Sequence, residues 1–93
     1  MQILDPEENL IATVARATCF TYRLDADEVP ESDVELYVKE LVSLYRRKPD
    51  ALLTGSSGEA SSVADTVRFC ADQLKDVAPG HAATLRSLLA KDQ

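Results

Sequence analysis

The apolar residues of this chain recur every three or four positions in four separate segments, which is the period of an amphipathic α-helix. The segments predict helices over about residues 6–23, 33–48, 62–78 and 81–91. No segment alternates apolar and polar residues as a half-buried strand does. The pattern therefore predicts an all-α fold, a single small four-helix, bundle-like domain over residues 1–93.

Residues at the ends of these segments favour the same boundaries. Asp5, followed by proline, is typical of a helix start, because its side chain can accept a free N–H group of the first turn. Ser32 and Ser62 are each followed three residues later by an acid, which is the capping-box pattern. Pro49 ends the second helix and Pro79 ends the third.

The segment Leu52–Ser62, LLTGSSGEASS, separates the second helix from the third. A Gly-rich stretch before a helix can hold a phosphate, but it usually needs a nearby cation. This segment carries Glu59 instead, and the spacing of Gly55 and Gly58 does not match the phosphate-loop pattern. We therefore predict a flexible Gly/Ser loop that ends in the N-cap of the third helix.

The first helix is apolar around most of its circumference. Its broad apolar face holds Leu10, Ile11, Val14, Ala17, Thr18, Thr21 and Tyr22. Other alanines, with Cys19 and Phe20, extend the apolar character further. Such a helix is usually central in its domain or buried in an oligomer. The pattern predicts that the first and third helices are the most buried.

Two large apolar side chains fall on the polar sides of their helices. Phe69 projects near the acids of the third helix, and Leu36 lies almost opposite the apolar stripe of the second. Phe20, on the flank of the first helix, would widen a patch around Phe69. Because aromatic residues are enriched at interface cores, Phe69, Leu36 and Phe20 are candidate interface residues.

The net charge of −6 is unevenly distributed, with nine acids and two bases in residues 1–37. Acids cluster between the first two helices, where Asp25, Asp27, Glu28 and Glu31 form a candidate surface for a basic partner. They do not match a calcium loop, which needs Gly at its sixth position and Glu at its twelfth. An acidic chain argues against nucleic acid or anionic lipid as a partner.

Few side chains are suited to catalysis or metal binding. Cys19 and Cys70 lie on apolar helix faces, where a thiol behaves as a small hydrophobe. Together with His81 they do not complete a conventional zinc site. The sequence therefore predicts no enzymatic activity, no cofactor and no metal, and a thiol-dependent enzyme is the weakest alternative.

Residues 71–90 consist of a helix, a short Gly-containing turn and a second helix, as in helix-turn-helix DNA-binding regulators. The second helix offers a duplex few contacts: Thr84, Arg86, Ser87 and Lys91. DNA binding is therefore an alternative rather than the preferred interpretation.

The preferred interpretation is a non-enzymatic helical protein-interaction module: an adaptor, accessory subunit or small regulator that forms a homodimer. An acidic inhibitor or immunity-type protein that binds a basic partner is a further alternative. The sequence shows no apolar run of the roughly 20 residues that a membrane span needs, and no secretory signal. We expect a cytoplasmic protein with no membrane partner.

Overall fold

The computed structural model describes residues 3–54 and 61–91. Within these residues, the elements are α1 (Pro6–Leu24), α2 (Glu31–Arg47), β1 (Leu52–Leu53), β2 (Ser61–Ser62), α3 (Val63–Leu74) and α4 (Pro79–Lys91). The helices pack together, which confirms the predicted all-α class. The predicted flexible loop falls mainly on residues 55–60, which lie outside the described residues.

α1 and α3 begin at complete capping boxes. The Asp5 carboxylate accepts the backbone N–H of Glu8 at 2.8 Å, and the Glu8 carboxylate accepts the N–H of Asp5 at 3.3 Å. The Ser62 hydroxyl accepts the N–H of Asp65 at 3.2 Å, and the Asp65 carboxylate accepts the N–H of Ser62 at 3.3 Å. Each box satisfies N–H groups that a helix start leaves free. Asp5 and Ser62 are therefore the N-caps of α1 and α3, as the sequence predicts.

The predicted start of the second helix is wrong. α2 begins at Glu31 with Pro30 at its N-cap, and no side chain caps it. The Pro30 carbonyl accepts the N–H of Asp33 at 3.0 Å, so the first helical turn is already closed around Ser32. A serine inside the first turn cannot act as its N-cap, so the predicted box between Ser32 and Glu35 does not form.

Ser62→Ala should lower the free energy of unfolding by about 1 kcal/mol, because the N–H of Asp65 loses its acceptor. The matched exchange Ser32→Ala should change it by less than about 0.5 kcal/mol, because that hydroxyl caps no helix. Urea denaturation of the two variants measures the difference. Equal losses would show that the two serines do not differ as caps.

The core is filled mainly by α2, α3 and α4. Its largest fully buried aliphatic side chains are Val34, Leu41, Leu44, Val63, Val67, Leu74 and Leu85. α3 is deeply buried, with seven buried residues among twelve. These helices supply the apolar area whose removal from water stabilises the fold.

α1 is not among the most buried helices, so that expectation is wrong. It buries Glu8, Ala12, Ala15 and Cys19. Leu10, which the sequence pattern placed on the main apolar face, is 62% exposed. Small side chains allow α1 to lie close to its neighbours, and this close packing decides which of its apolar sides is buried.

A short strand pair that the sequence did not predict connects α2 to α3. Leu52 pairs with Ser62 and Leu53 with Ser61 in antiparallel register. Ile3 forms a parallel bridge to Leu52, which ties the start of the described chain to this connection. Strands of two residues are too short to show an alternating pattern.

The junction between α3 and α4 also differs from the prediction. α3 ends at Leu74, four residues before the predicted end, and residues 75–77 form a turn. The Leu74 carbonyl accepts the N–H groups of Val77 and Ala78 at 3.2 and 2.7 Å, which closes this turn. Pro79 then begins α4, because the fixed φ of proline suits a first helical turn.

Candidate interaction surface

The side of α1 that faces away from the core is largely apolar. Its residues follow one another at steps of three, four, three and four positions, and we call them the outer α1 stripe: Leu10, Thr13, Ala17, Phe20 and Leu24. All five are exposed, Leu24 at 66% and Phe20 at 43%. At 100° per residue, the stripe lies roughly 150° from the buried face of the same helix. α1 therefore carries one apolar face in the core and a second in solvent.

Phe69 of α3 borders the outer α1 stripe. Its ring is half-buried and packs against the core, so it is less exposed than the sequence pattern predicted. The guanidinium carbon of Arg16 lies 4.4 Å from the ring centroid, a cation–π contact. With Thr13, Ala17 and Phe20, these two residues line an open groove of about 410 Å³. Two of the three predicted interface residues thus share one surface.

The third predicted interface residue, Leu36, is not part of this groove. It lies on α2 and is 50% exposed. Its neighbours Glu35 and Lys39 form an exposed ion pair at 3.2 Å. Leu36 is therefore a separate exposed apolar residue.

The outer α1 stripe is flanked by cations. Between Asn9 and Leu24 the sequence contains no Asp or Glu, but it contains Arg16 and Arg23. Arg23 donates a hydrogen bond to the side-chain oxygen of Gln73 on α3 at 3.2 Å. In a chain of net charge −6, the stretch from Leu10 to Leu24 thus carries only cations, and both of them contact α3.

The predicted acidic residues lie directly beyond the C-terminal end of the stripe. All four, Asp25, Asp27, Glu28 and Glu31, are exposed. The Asp25 carboxylate accepts the backbone N–H of Asp27 at 3.2 Å, which holds the turn after α1. The fold therefore places an acidic connector next to an apolar, positively flanked helix face.

Leu24 and Arg16 were not predicted as interface residues. The alternating steps that lead from Leu10 to Leu24 are present in the sequence, and could have identified the stripe. The same helix also has a broader apolar face, to which the pattern assigned Leu10 and Ala17. Only the packing of α1 on its neighbours distinguishes the two faces.

Glu8 joins the start of α1 to the end of α2, a role that the sequence did not reveal. Its side chain is 9% exposed, and it accepts hydrogen bonds from Lys48 at 2.7 Å and Arg47 at 3.1 Å. The hydrogen bond from Lys48 lowers the pKa of Glu8 below its ordinary value of 4.5. The N–H of Asp5 also lowers this pKa, whereas burial opposes the change. Arg47 and Lys48 at the end of α2 are therefore engaged within the fold.

Cys19 and Cys70 meet in the core between α1 and α3. Both are fully buried free thiols, and the Cys70 thiol donates a weak hydrogen bond to the carbonyl oxygen of Ala15, with 3.8 Å between Sγ and the oxygen. Contact with Cys19 and burial raise the pKa of the Cys70 thiol. Because both thiols are fully buried, a substrate has no access to them, and the pair is suited to packing.

α3 and α4 form the helix pair on which the DNA-binding alternative depends. Thr84, Arg86 and Ser87 are exposed on α4. Asp72 and Asp76 are also exposed, on α3 and in the turn that follows it. Carboxylates near the turn oppose the approach of a phosphate backbone. DNA binding stays a prediction that the geometry does not strengthen.

A second cleft, of about 300 Å³, lies between α2 and α4. Its lining residues are Glu35, Val38, Lys39, Val42, His81 and Thr84. The Glu35–Lys39 ion pair is internally neutral, so it gives no indication of the charge of a ligand. Among the described residues, no group of three or more His, Cys, Asp or Glu side chains is placed to hold a metal ion.

Comparisons with protein-family models, curated proteins and solved structures found no match to this chain. No helix in residues 3–54 or 61–91 has both the length and the apolar character that crossing a membrane requires. The fold defines a small all-α domain, and its most distinctive surface is the outer α1 stripe.

Proposed function

We propose that this protein is a non-enzymatic helical protein-interaction module, an adaptor, accessory subunit or small regulator that forms a homodimer through the outer α1 stripe. The observation that carries this proposal is the second apolar face of α1, which is exposed along about 21 Å of helix. Burial of apolar surface contributes about 25 cal/mol per Å². Aligned exposed apolar side chains are typical of interaction sites.

The spacing of the stripe favours another helix as the element that covers it. Alternating steps of three and four residues average 3.5, which lets two helices lie along each other with interlocking side chains. Thr13 and Ala17 are small enough for a close approach, whereas Leu10, Phe20 and Leu24 provide large side chains. A second copy of the chain supplies a helix with the same spacing, and a two-fold contact between copies closes at a dimer.

The acidic connector provides a surface for a basic partner protein. Exposed carboxylates attract a positively charged surface and mainly raise the rate and specificity of association. Such a partner would approach the acidic connector rather than the positively flanked stripe. An acidic inhibitor of a basic enzyme would use the same carboxylates, and this alternative differs from an adaptor only in its target.

Phe20→Asp should convert the dimer to a monomer, because association would bury a carboxylate at the stripe. We expect the dimer dissociation constant to rise at least 30-fold, the change that corresponds to about 2 kcal/mol at a central interface residue. Sedimentation velocity over a concentration series measures it. Thermal unfolding of the monomer should stay cooperative, because Phe20 is exposed in the isolated chain.

Leu36→Asp is the matched control, since Leu36 is similarly exposed on a different helix. It should leave the dimer intact. A wild-type protein that stays monomeric throughout the micromolar range would contradict self-association. Loss of the dimer in Leu36→Asp but not in Phe20→Asp would show that the interface lies on α2 instead of α1. Phe69→Asp is a less suitable probe, because its ring packs against the core.

A further inference from the structure

The two buried cysteines, Cys19 on α1 and Cys70 on α3, lie at the same height along two helices that run side by side. Contacts on either side of them fix the register of α1 on α3: Arg16 over the Phe69 ring at 4.4 Å, and Arg23 to Gln73 at 3.2 Å. On each helix, the cysteine falls between the two residues that make these contacts. The register therefore brings the two thiols to the same part of the α1–α3 contact.

A third contact places the sulfur atoms next to each other. The Cys70 thiol donates to the carbonyl oxygen of Ala15, with 3.8 Å between Sγ and the oxygen. In an α-helix, this carbonyl also accepts the N–H of Cys19, one turn further on. Helical side chains lean towards the N-terminus, so the Cys19 side chain points back over the turn of Ala15. The contact with Cys19 that raises the pKa of the Cys70 thiol agrees with this placement.

The residues around the two thiols are small enough for a covalent link. Apart from Glu8, the buried face of α1 consists of Ala12, Ala15 and Cys19, and buried Ala71 follows Cys70 on α3. Small side chains let two helix axes approach to about 8 Å. Facing Cα atoms then lie within the roughly 4–7 Å that a disulfide spans. The link therefore requires little movement of either helix.

We propose that Cys19 and Cys70 form an intramolecular disulfide when the protein encounters a small-molecule disulfide such as oxidised glutathione. One cysteine thiolate attacks a glutathione sulfur and releases one glutathione. The second cysteine then displaces the other glutathione from the mixed disulfide. Two protein S–H bonds and the glutathione S–S bond break, and one protein S–S bond and two glutathione S–H bonds form. Two electrons thus pass from the protein to glutathione.

Burial controls the rate of this reaction. Both thiols are fully buried, so the oxidant reaches them only when α1 separates locally from α3. Once formed, the disulfide is shielded from reducing thiols by the same packing. The pair is therefore a slow, redox-sensitive crosslink between two helices, and not a catalytic dithiol. Cys19 lies on the buried face of α1, away from the outer α1 stripe, so this inference does not depend on self-association.

Incubation of the folded protein with oxidised glutathione should give a species that has lost two hydrogen atoms in intact mass and carries no glutathione. It should unfold at least about 5 °C above the reduced protein, because a crosslink between distant parts of the chain restricts the unfolded state. Mass spectrometry and thermal unfolding measure the two changes. Dithiothreitol, added under unfolding conditions, should restore the original mass, and the refolded protein should regain the original unfolding temperature.

Cys19→Ala and Cys70→Ala are the matched controls, because neither variant can form the internal bond. The remaining cysteine should end as a free thiol or a glutathione adduct, without a rise in unfolding temperature. Wild-type protein that accumulates glutathione adducts, or an oxidised form that unfolds below the reduced one, would overturn the proposal. A wild type that does not react is tested again in urea just below its unfolding transition, where α1 separates more often. Absence of the internal disulfide there too would overturn it.

Discussion

Leu41→Ala is expected to lower the free energy of unfolding by about 2–5 kcal/mol. Leu41 is fully buried on α2 and belongs to the core shared by the helices. Its truncation removes apolar contacts and leaves a cavity that a close-packed core fills only in part. A chain of this size has a total stability of only about 5–15 kcal/mol, so the variant would be close to unfolding. Urea denaturation measures the loss.

Leu36→Ala is the matched control, because the residue type and the helix are the same. Leu36 is 50% exposed, so we expect a loss of about 0.5 kcal/mol. The ratio of the two losses tests which side of α2 faces the core. Losses of similar size at both positions would contradict the orientation of α2.

Glu8→Gln is expected to remove an acid-sensitive part of the stability. The hydrogen bond from Lys48 holds the pKa of Glu8 below 4.5 in the folded chain, so folding favours the charged carboxylate. This stabilisation is complete above the unfolded value near 4.5, and is lost as the pH falls through the lower folded pKa. The variant should therefore unfold a few degrees below the wild type at pH 7.

The difference between wild type and Glu8→Gln should shrink as the pH falls below 4.5. Thermal unfolding at a series of pH values measures it. Glu7→Gln is the control, because Glu7 lies beside Glu8 on α1 but is exposed. A difference for Glu8→Gln that stays constant from neutral to acid pH would show that its carboxylate is not the group that responds to acid.

The candidate surface could be predicted in part from the sequence. Phe20 and Phe69 were identified because large aromatic residues outside a helix's main apolar stripe need an explanation. Their meeting in one groove, and the guanidinium of Arg16 above Phe69, depend on how α1 packs on α3. Leu36 met the same sequence criterion but lies elsewhere, because residues on different helices share a surface only if the packing brings them together.

The helical class follows from the sequence by itself, because helix periodicity and N-caps such as Ser62 are local properties of the chain. The capping-box pattern at Ser32 predicted the wrong helix start. The helix begins earlier, because the carbonyl of Pro30 accepts the N–H of Asp33. The sequence also established that α1 has more apolar surface than one face can bury.

Only the tertiary structure decided which side of α1 is buried. Both of its sides are apolar, so periodicity cannot rank them, whereas packing against α2 and α3 favours the side with small residues. That choice buries Ala12, Ala15 and Cys19 and leaves Phe20 and Leu24 in solvent. The surface on which we base the function thus arises from the shape of the neighbouring helices, a long-range property that no short stretch of sequence contains.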